Sequence, residues 1–241
     1  MKYGVFKVFM TRHLVVLAAF CGLLQGVHSA LAANEHVPAL RLFGTMEFRA
    51  SSLAALPQWL RVLGSIDQER ELYAKCDKDI DACVSPALAA WRAKIRGLKG
   101  LDRKTQLIES NKFLNRWIYR EDQANYGVAD YWASPLEFLK SSGDCEDYAI
   151  IKYVMLRELG FSAEMLRIVV VHDTLRNVTH ALLAIYLDDE IVMMDSLFDG
   201  VLPQKYLSFY IPEYSLNETS RWSHILPMSS ALDSSPGVVN E

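Results

Sequence analysis

Cys145 stands in the run SSGDCEDYAIIKY, residues 141–153, with Asp144 before it and Glu146 and Asp147 after it. A cysteine attacks through its thiolate, which carboxylate neighbours oppose and a helix N-terminus favours. Ser142 or Asp144 can cap a helix here, and the N–H groups of its first turn would lower the thiol pKa and offer donors to a developing oxyanion. Such a nucleophile also needs a base and a group that orients the base. The chain offers His180 in NVTHALLAIYL and Asp195 in IVMMDSL. Singly, each has a plain explanation. A lone cysteine is usually a small buried hydrophobe, a strand histidine is usually just packed and hydrogen-bonded, and an acid after four apolar residues can cap a turn.

Together they say more. LRIVVVHD (166–173), THALLAIYLDD (179–189) and EIVMMDSL (190–197) are aliphatic runs separated by short polar turns, the pattern of antiparallel strands. If Asp188 and Asp189 form a two-residue turn, residues whose numbers sum to 377 lie opposite each other. His180 then faces Leu197, and Asp195 is its diagonal neighbour on the same face, about 7 to 8 Å away at the backbone. An Asp there can hold an imidazole that takes the proton of a thiol. A slip of one residue would put the two on opposite faces.

The elements before these strands are helical. Residues 53–75 and 86–98 read as helices, the second with Pro86 in its first turn and Leu88, Trp91, Ile95 and Leu98 at helical spacing. A third is predicted from Asp102 to Tyr119, with Leu107, Leu114, Trp117 and Ile118 on one apolar face and Asn111 and Asn115 four residues apart beside it. Residues 120–134 read as a structured loop and 135–140 as a short helix. A strong helix then begins at Cys145, buries Ala149, Ile150, Tyr153, Val154 and Leu156, and stops at Gly160. Helices followed by strands predict an α+β fold, N-terminal helices packed on an antiparallel β-sheet. The helical part spans about 50–160 and the sheet about 165–226. No internal repeat is visible.

The ends read differently. Lys2, Lys7 and Arg12 precede the apolar run LVVLAAFCGLLQGV (14–27), and HSALAAN follows with small residues at Ala30 and Ala32. That is the pattern of a secretory signal peptide over residues 1–32, with a domain over 33–228 and a flexible tail over 229–241. The alternative, a membrane anchor, needs a longer apolar run. Removing residues 1–32 takes three bases and no acid from a chain of net charge −4 and leaves −7. Nucleic acid is therefore not an expected partner. Of the four cysteines, Cys21 falls in the signal, and Cys76 and Cys83 form either a local disulfide or two thiols. If they pair, Cys145 is left single.

A cysteine opening a helix, then histidine and aspartate on successive strands, is the order of transglutaminase-like and papain-like cysteine enzymes. More narrowly, NKFLNRWIYRED, YGVADYWASPLEFLKSSGDCEDYAIIKYVMLRELG, THALLAIY and MDSL resemble the LapG-type bacterial transglutaminase-like cysteine proteinases over residues 100–200. The resemblance implies a papain/transglutaminase-like fold and a Cys145 nucleophile, with His180 as general base and then acid, and Asp195 orienting it. It also implies a calcium-dependent periplasmic endopeptidase that cuts a large surface adhesin near its N-terminus and so promotes biofilm dispersal. Its activity would be restrained by an inner-membrane LapD-type receptor responsive to cyclic di-GMP. The family's Ca²⁺ ligands map onto Asp144, Glu146 and Asp147. A bound Ca²⁺ takes oxygen ligands and would turn a field hostile to the thiolate in its favour, which accounts for acids around Cys145. The acids could instead simply complement the helix dipole. The twelve-residue EF-hand pattern is absent. Three other readings stand beside this one: an acyltransferase of the transglutaminase type; a non-catalytic calcium-binding interaction module of the same fold; and a partner for a membrane receptor that docks through aromatics such as Trp132 or Trp222, tryptophans that read first as core residues.

Overall fold

A computed structural model describes residues 40–227. The expected signal segment, Cys21 and the tail lie outside these residues. The first strand, β1 (Met46–Ala50), precedes every α-helix, with only a turn of 3-10 helix at Leu42–Gly44 before it among the described residues. This departs from the expected order of helices first and strands second. Five residues with a half-exposed face leave no period to read, and β1 acquires its partner only at the far end of the chain.

Helix α1 (Pro57–Lys78) starts at its proline, later than the expected residue 53. It buries Trp59, Val62, Ile66, Glu69, Tyr73 and Cys76 at alternating spacings of three and four, one face of a 3.6-residue period. Cys76 is joined to Cys83 by a disulfide, so Cys145 is the free cysteine among the described residues. In α2 (Pro86–Leu98) the Ser85 side chain accepts from Leu88 N–H, and the four apolar residues expected to face the core are all buried.

Helix α3 (Arg103–Leu114) is shorter than the predicted span to Tyr119. Its last turn tightens, with Arg116 N–H donating to Phe113 O and Trp117 N–H to Leu114 O. Ile118 is 71% exposed instead of facing the core. The chain leaves the helix because it is recruited elsewhere. Tyr119 bridges to Gly143, and Arg120 N–H donates to Gly143 O at 2.9 Å. Two short helices follow, α4 (Asp122–Asn125) and α5 (Pro135–Ser141), the latter opened by a Ser134–Glu137 capping box.

Helix α6 (Cys145–Glu158) is the centre of the domain. Every residue from Asp147 to Leu156 is buried, because α6 packs on the sheet and is covered by α3 and α5. It ends at Gly160, whose φ of +91° suits glycine.

The remaining strands are β2 (Leu166–Asp173), β3 (Val178–Tyr186), β4 (Ile191–Met194), β5 (Leu202–Pro203), β6 (Tyr210–Leu216) and β7 (Arg221–Ile225). They form one sheet of order β1-β7-β6-β2-β3-β4-β5 in which all neighbours are antiparallel. Both faces of the central strands are covered. Ile168, Leu183, Ile185, Val192 and Met194 join the helix-side core, while Val169, Val171, Leu182, Ala184 and Met193 join a second cluster. That double burial explains why these strands read as continuous apolar runs without polar alternation. No helix among the described residues is long and apolar enough to cross a membrane.

Candidate active site

The turn at Asp188 and Asp189 closes with Leu187 N–H donating to Glu190 O, and the ladder pairs Leu183 with Met194 and Tyr186 with Ile191. This is the register in which His180 and Asp195 share a face. His180 Nε2 lies 2.8 Å from Asp195 Oδ1, both side chains being almost fully buried. Asp195 has two further partners. Leu197 N–H donates to Oδ1 at 3.0 Å, and the Tyr210 hydroxyl donates to Oδ2 at 2.8 Å. Burial alone would raise the Asp195 carboxyl, but the hydrogen bond and charge of His180, with the Leu197 and Tyr210 donors, hold it below the usual carboxylate range.

Cys145 is the first residue of α6, with Asp144 at its N-cap. It lines a cleft of about 840 Å³ whose walls also carry His180, Asp122, Asp130, Asp144 and Glu146. Tyr119, Val178 and Leu197 add exposed apolar surface to the same cleft. The thiol hydrogen bond goes to Glu146 Oε2 at 3.2 Å. Burial, together with the charges of Glu146 and Asp144, pushes the Cys145 thiol well above its ordinary value.

Asp144, Glu146 and Asp147 are joined by two acids that sequence reasoning did not single out, Asp122 and Asp130. Asp122, Asp130 and Glu146 form one cluster and Asp122, Asp144 and Asp147 another, with candidate ligand atoms in each lying within 4.8 Å of one another. The strain of this gathering is visible in the proton affinities. Burial lifts Asp122 to about 6; burial and then Glu146 lift Asp144 to about 8; burial, with Asp144 and Glu146 adding to it, lifts Asp147 to about 9. Asp122 Oδ1 and Asp144 Oδ1 are buried with no hydrogen-bond partner. Converging carboxylates with orphaned oxygens make an all-oxygen donor set, and that fits a hard divalent cation such as Ca²⁺.

Asp147 sits deeper than its neighbours and is fully buried. Its Oδ1 accepts from Ala133 N–H and its Oδ2 from Asp144 N–H, so it ties the loop before α5 to the start of α6. Gly143 makes that possible, because a Cβ there would lie 2.0 Å from Asp147 Oδ2. Ser142, held at φ +65° with its carbonyl bound by Asn125 Nδ2, completes the strained approach to Cys145.

Three participants had no usable signal. Asp122 opens the four-residue α4 and Asp130 lies in the irregular stretch after it, both more than ten residues before Cys145, and Tyr210 follows the last motif in the chain. Trp132 and Trp222, considered as docking aromatics, are 7% and 8% exposed and belong to the interior.

Residues 70–230, more than half of the chain, match the family described as bacterial transglutaminase-like cysteine proteinase. Among solved structures, LapG of Legionella pneumophila is 32% identical with a TM-score of 0.56, over 63% of this chain and 87% of that one. An EGTA-treated form of the same protein is 32% identical at TM-score 0.56, over 63% and 84%. A calcium-bound form is 33% identical at TM-score 0.53, over 60% and 84%. No curated protein sequence matches the chain.

Proposed function

The chain belongs to the bacterial transglutaminase-like cysteine proteinases, with an α+β transglutaminase-like fold, and we propose that it is a calcium-dependent endopeptidase working through Cys145, His180 and Asp195. The observation that carries this reading is the His180–Asp195 pair, 2.8 Å apart, behind a cleft that Cys145 lines. Asp195 takes the Nε2 side of the ring and so leaves Nδ1 for the thiol. His180 removes the thiol proton as Cys145 Sγ attacks the scissile carbonyl carbon. The tetrahedral oxyanion is held by N–H groups at the start of α6, that of Cys145 among them. His180 then gives its proton to the leaving amine, the C–N bond breaks, and an acyl-enzyme remains. Water, deprotonated by His180, attacks the thioester, and the carboxylate product leaves as the thiol regains its proton.

Asp144 and Glu146, with Asp122, Asp130 and Asp147 around them, would hold the calcium ion. When bound, it supplies positive charge that offsets the carboxylates beside the thiol. The calcium-bound and EGTA-treated forms of the Legionella protein support this part of the reading.

The substrate is proposed to be a large surface adhesin, cut near its N-terminus in the periplasm, with release of the cell from a biofilm. A LapD-type inner-membrane receptor that senses cyclic di-GMP would sequester the protease. The pattern of residues 1–32 supports export. The test is to incubate the mature protein with an N-terminal adhesin fragment in calcium and to map the products by mass spectrometry. Two new fragments, lost in Cys145→Ala and in chelator, are expected, and no incorporation of an added amine. Cleavage that survives Cys145→Ala would overturn the reading.

A further inference from the structure

Asp195 opens a segment, residues 195–200, that leaves β4 and joins no ladder. Its backbone carbonyls therefore need partners from outside the sheet. They find them on α3 and the Asn115 that caps its C-terminus, eighty and more residues earlier in the chain. Asn115 Nδ2 donates to Asp195 O and to Phe198 O, each at 3.0 Å. Asn111 Nδ2 donates to Phe198 O and Asp199 O at 3.0 Å and reaches Gly200 O at 3.4 Å.

The spacing explains the clamp. Residues four apart share a helix face, so the last turn of α3, with its C-cap, presents two amides to one stretch of backbone. Asn111 is fully buried, and neither amide oxygen has a protein partner. Both side chains are thus spent on the carbonyls of this segment.

The consequence falls on the carboxylate. Its Oδ1 meets His180 and Leu197 N–H, and its Oδ2 meets Tyr210, so its direction is set from the side-chain end. The Asn115 amide sets it from the backbone end, at the carbonyl of the same residue. A displacement of about 1 Å in such an arrangement can cost on the order of a hundredfold in rate.

We propose that Asn115, supported by Asn111, is a positioning residue for hydrolysis: it fixes the backbone of Asp195 and through it the imidazole of His180. This deepens the Cys145–His180–Asp195 reading and rests on it. Asn115→Asp keeps the shape of the side chain but replaces the donor with an acceptor facing carbonyl oxygens. Asn115→Ala, which removes the donor without adding charge, serves if the first variant does not fold.

The experiment uses the mature chain in calcium, with Asp195→Ala alongside. Three quantities are read: the rate of Cys145 alkylation by iodoacetamide at pH 7, the ring ¹⁵N resonances of His180, and the melting temperature. The expected result is alkylation slowed about tenfold or more in the Asn115 variant, with the His180 resonances moved in the same direction as in Asp195→Ala. A variant with lower melting temperature but wild-type His180 resonances and alkylation would overturn the proposal, because that is what a purely structural clamp predicts. If Asp195→Ala itself alkylates like wild type, the triad reading fails and this inference falls with it.

Discussion

Cys145 Sγ donates to Glu146 Oε2 at 3.2 Å, so the hydrogen bond of the thiol goes to a carboxylate one residue along and not to the imidazole of His180. Burial, Glu146 and Asp144 all hold the proton on the sulfur. In chelator the thiol is therefore expected to alkylate slowly at pH 7. Calcium held by these acids should speed it at least tenfold, about the effect of one pKa unit. Iodoacetamide labelling read by peptide mass spectrometry, with and without EGTA, measures this. Equal rates in the two buffers would remove the proposed role of the acids.

Tyr210 accounts for one oxygen of Asp195. Tyr210→Phe removes that donor and leaves a buried carboxylate oxygen short of a partner, a loss of about 1 to 3 kcal/mol. Cleavage of the proposed adhesin substrate should slow about tenfold, with little change in KM, since the hydroxyl lies behind His180 and outside the cleft lining. Asp195→Asn should cost far more, on the order of a thousandfold, by favouring the wrong imidazole tautomer. Steady-state kinetics on the two variants would separate them, and a Tyr210→Phe effect confined to KM would count against this role.

What could be read in advance follows the periodic segments. The β3–β4 register was legible because Asp188 and Asp189 leave only one tight turn between two aliphatic runs, and the ladder then pairs Leu183 with Met194. The buried face of α2 was legible for the same reason, with four apolar residues at helical spacing. The end of α3 was not, because Trp117 and Ile118 continue the apolar pattern while the backbone is drawn off to pair with Gly143, a contact no local rule contains. Asn111 and Asn115 were visible as a pair, but their purpose depends on a segment eighty residues away. Asp122 and Asp130 reach the acidic cluster through an aperiodic stretch, so neither spacing nor pattern could nominate them.

Gly143 permits the close approach of the Asp147 carboxylate. Adding a methyl group would put a carbon 2.0 Å from Asp147 Oδ2, a contact that must displace the carboxylate. Gly143→Ala should therefore break the tie between Asp147 and the N–H groups of Ala133 and Asp144. Destabilisation of about 1 to 3 kcal/mol or more is expected by urea unfolding, with a weaker rise of melting temperature on adding calcium. A variant with wild-type stability and calcium response would show that Asp147 does not organise the start of α6.

Outside the cleft lining, His224 on β7 links the residue before β1 to β6, bridging Thr45 Oγ1 at 2.9 Å and Ser215 Oγ at 2.8 Å. Burial lowers its pKa to about 4; Glu47 pulls it up slightly and Arg167 presses it down. Between pH 6.5 and about 4 the unfolded chain therefore binds a proton that the folded chain refuses. The stability contributed by the neutral ring is complete above pH 6.5 and is lost as pH falls through the folded value. Other groups titrate in this range, so the comparison is with His224→Asn, which cannot take up that proton. The melting temperature of wild type minus that of the variant should shrink steadily from pH 6.5 to 4. A difference independent of pH would mean that the ring is already protonated in the folded protein, and that both of its hydrogen bonds, to Thr45 and to Ser215, are then donations from a charged imidazolium.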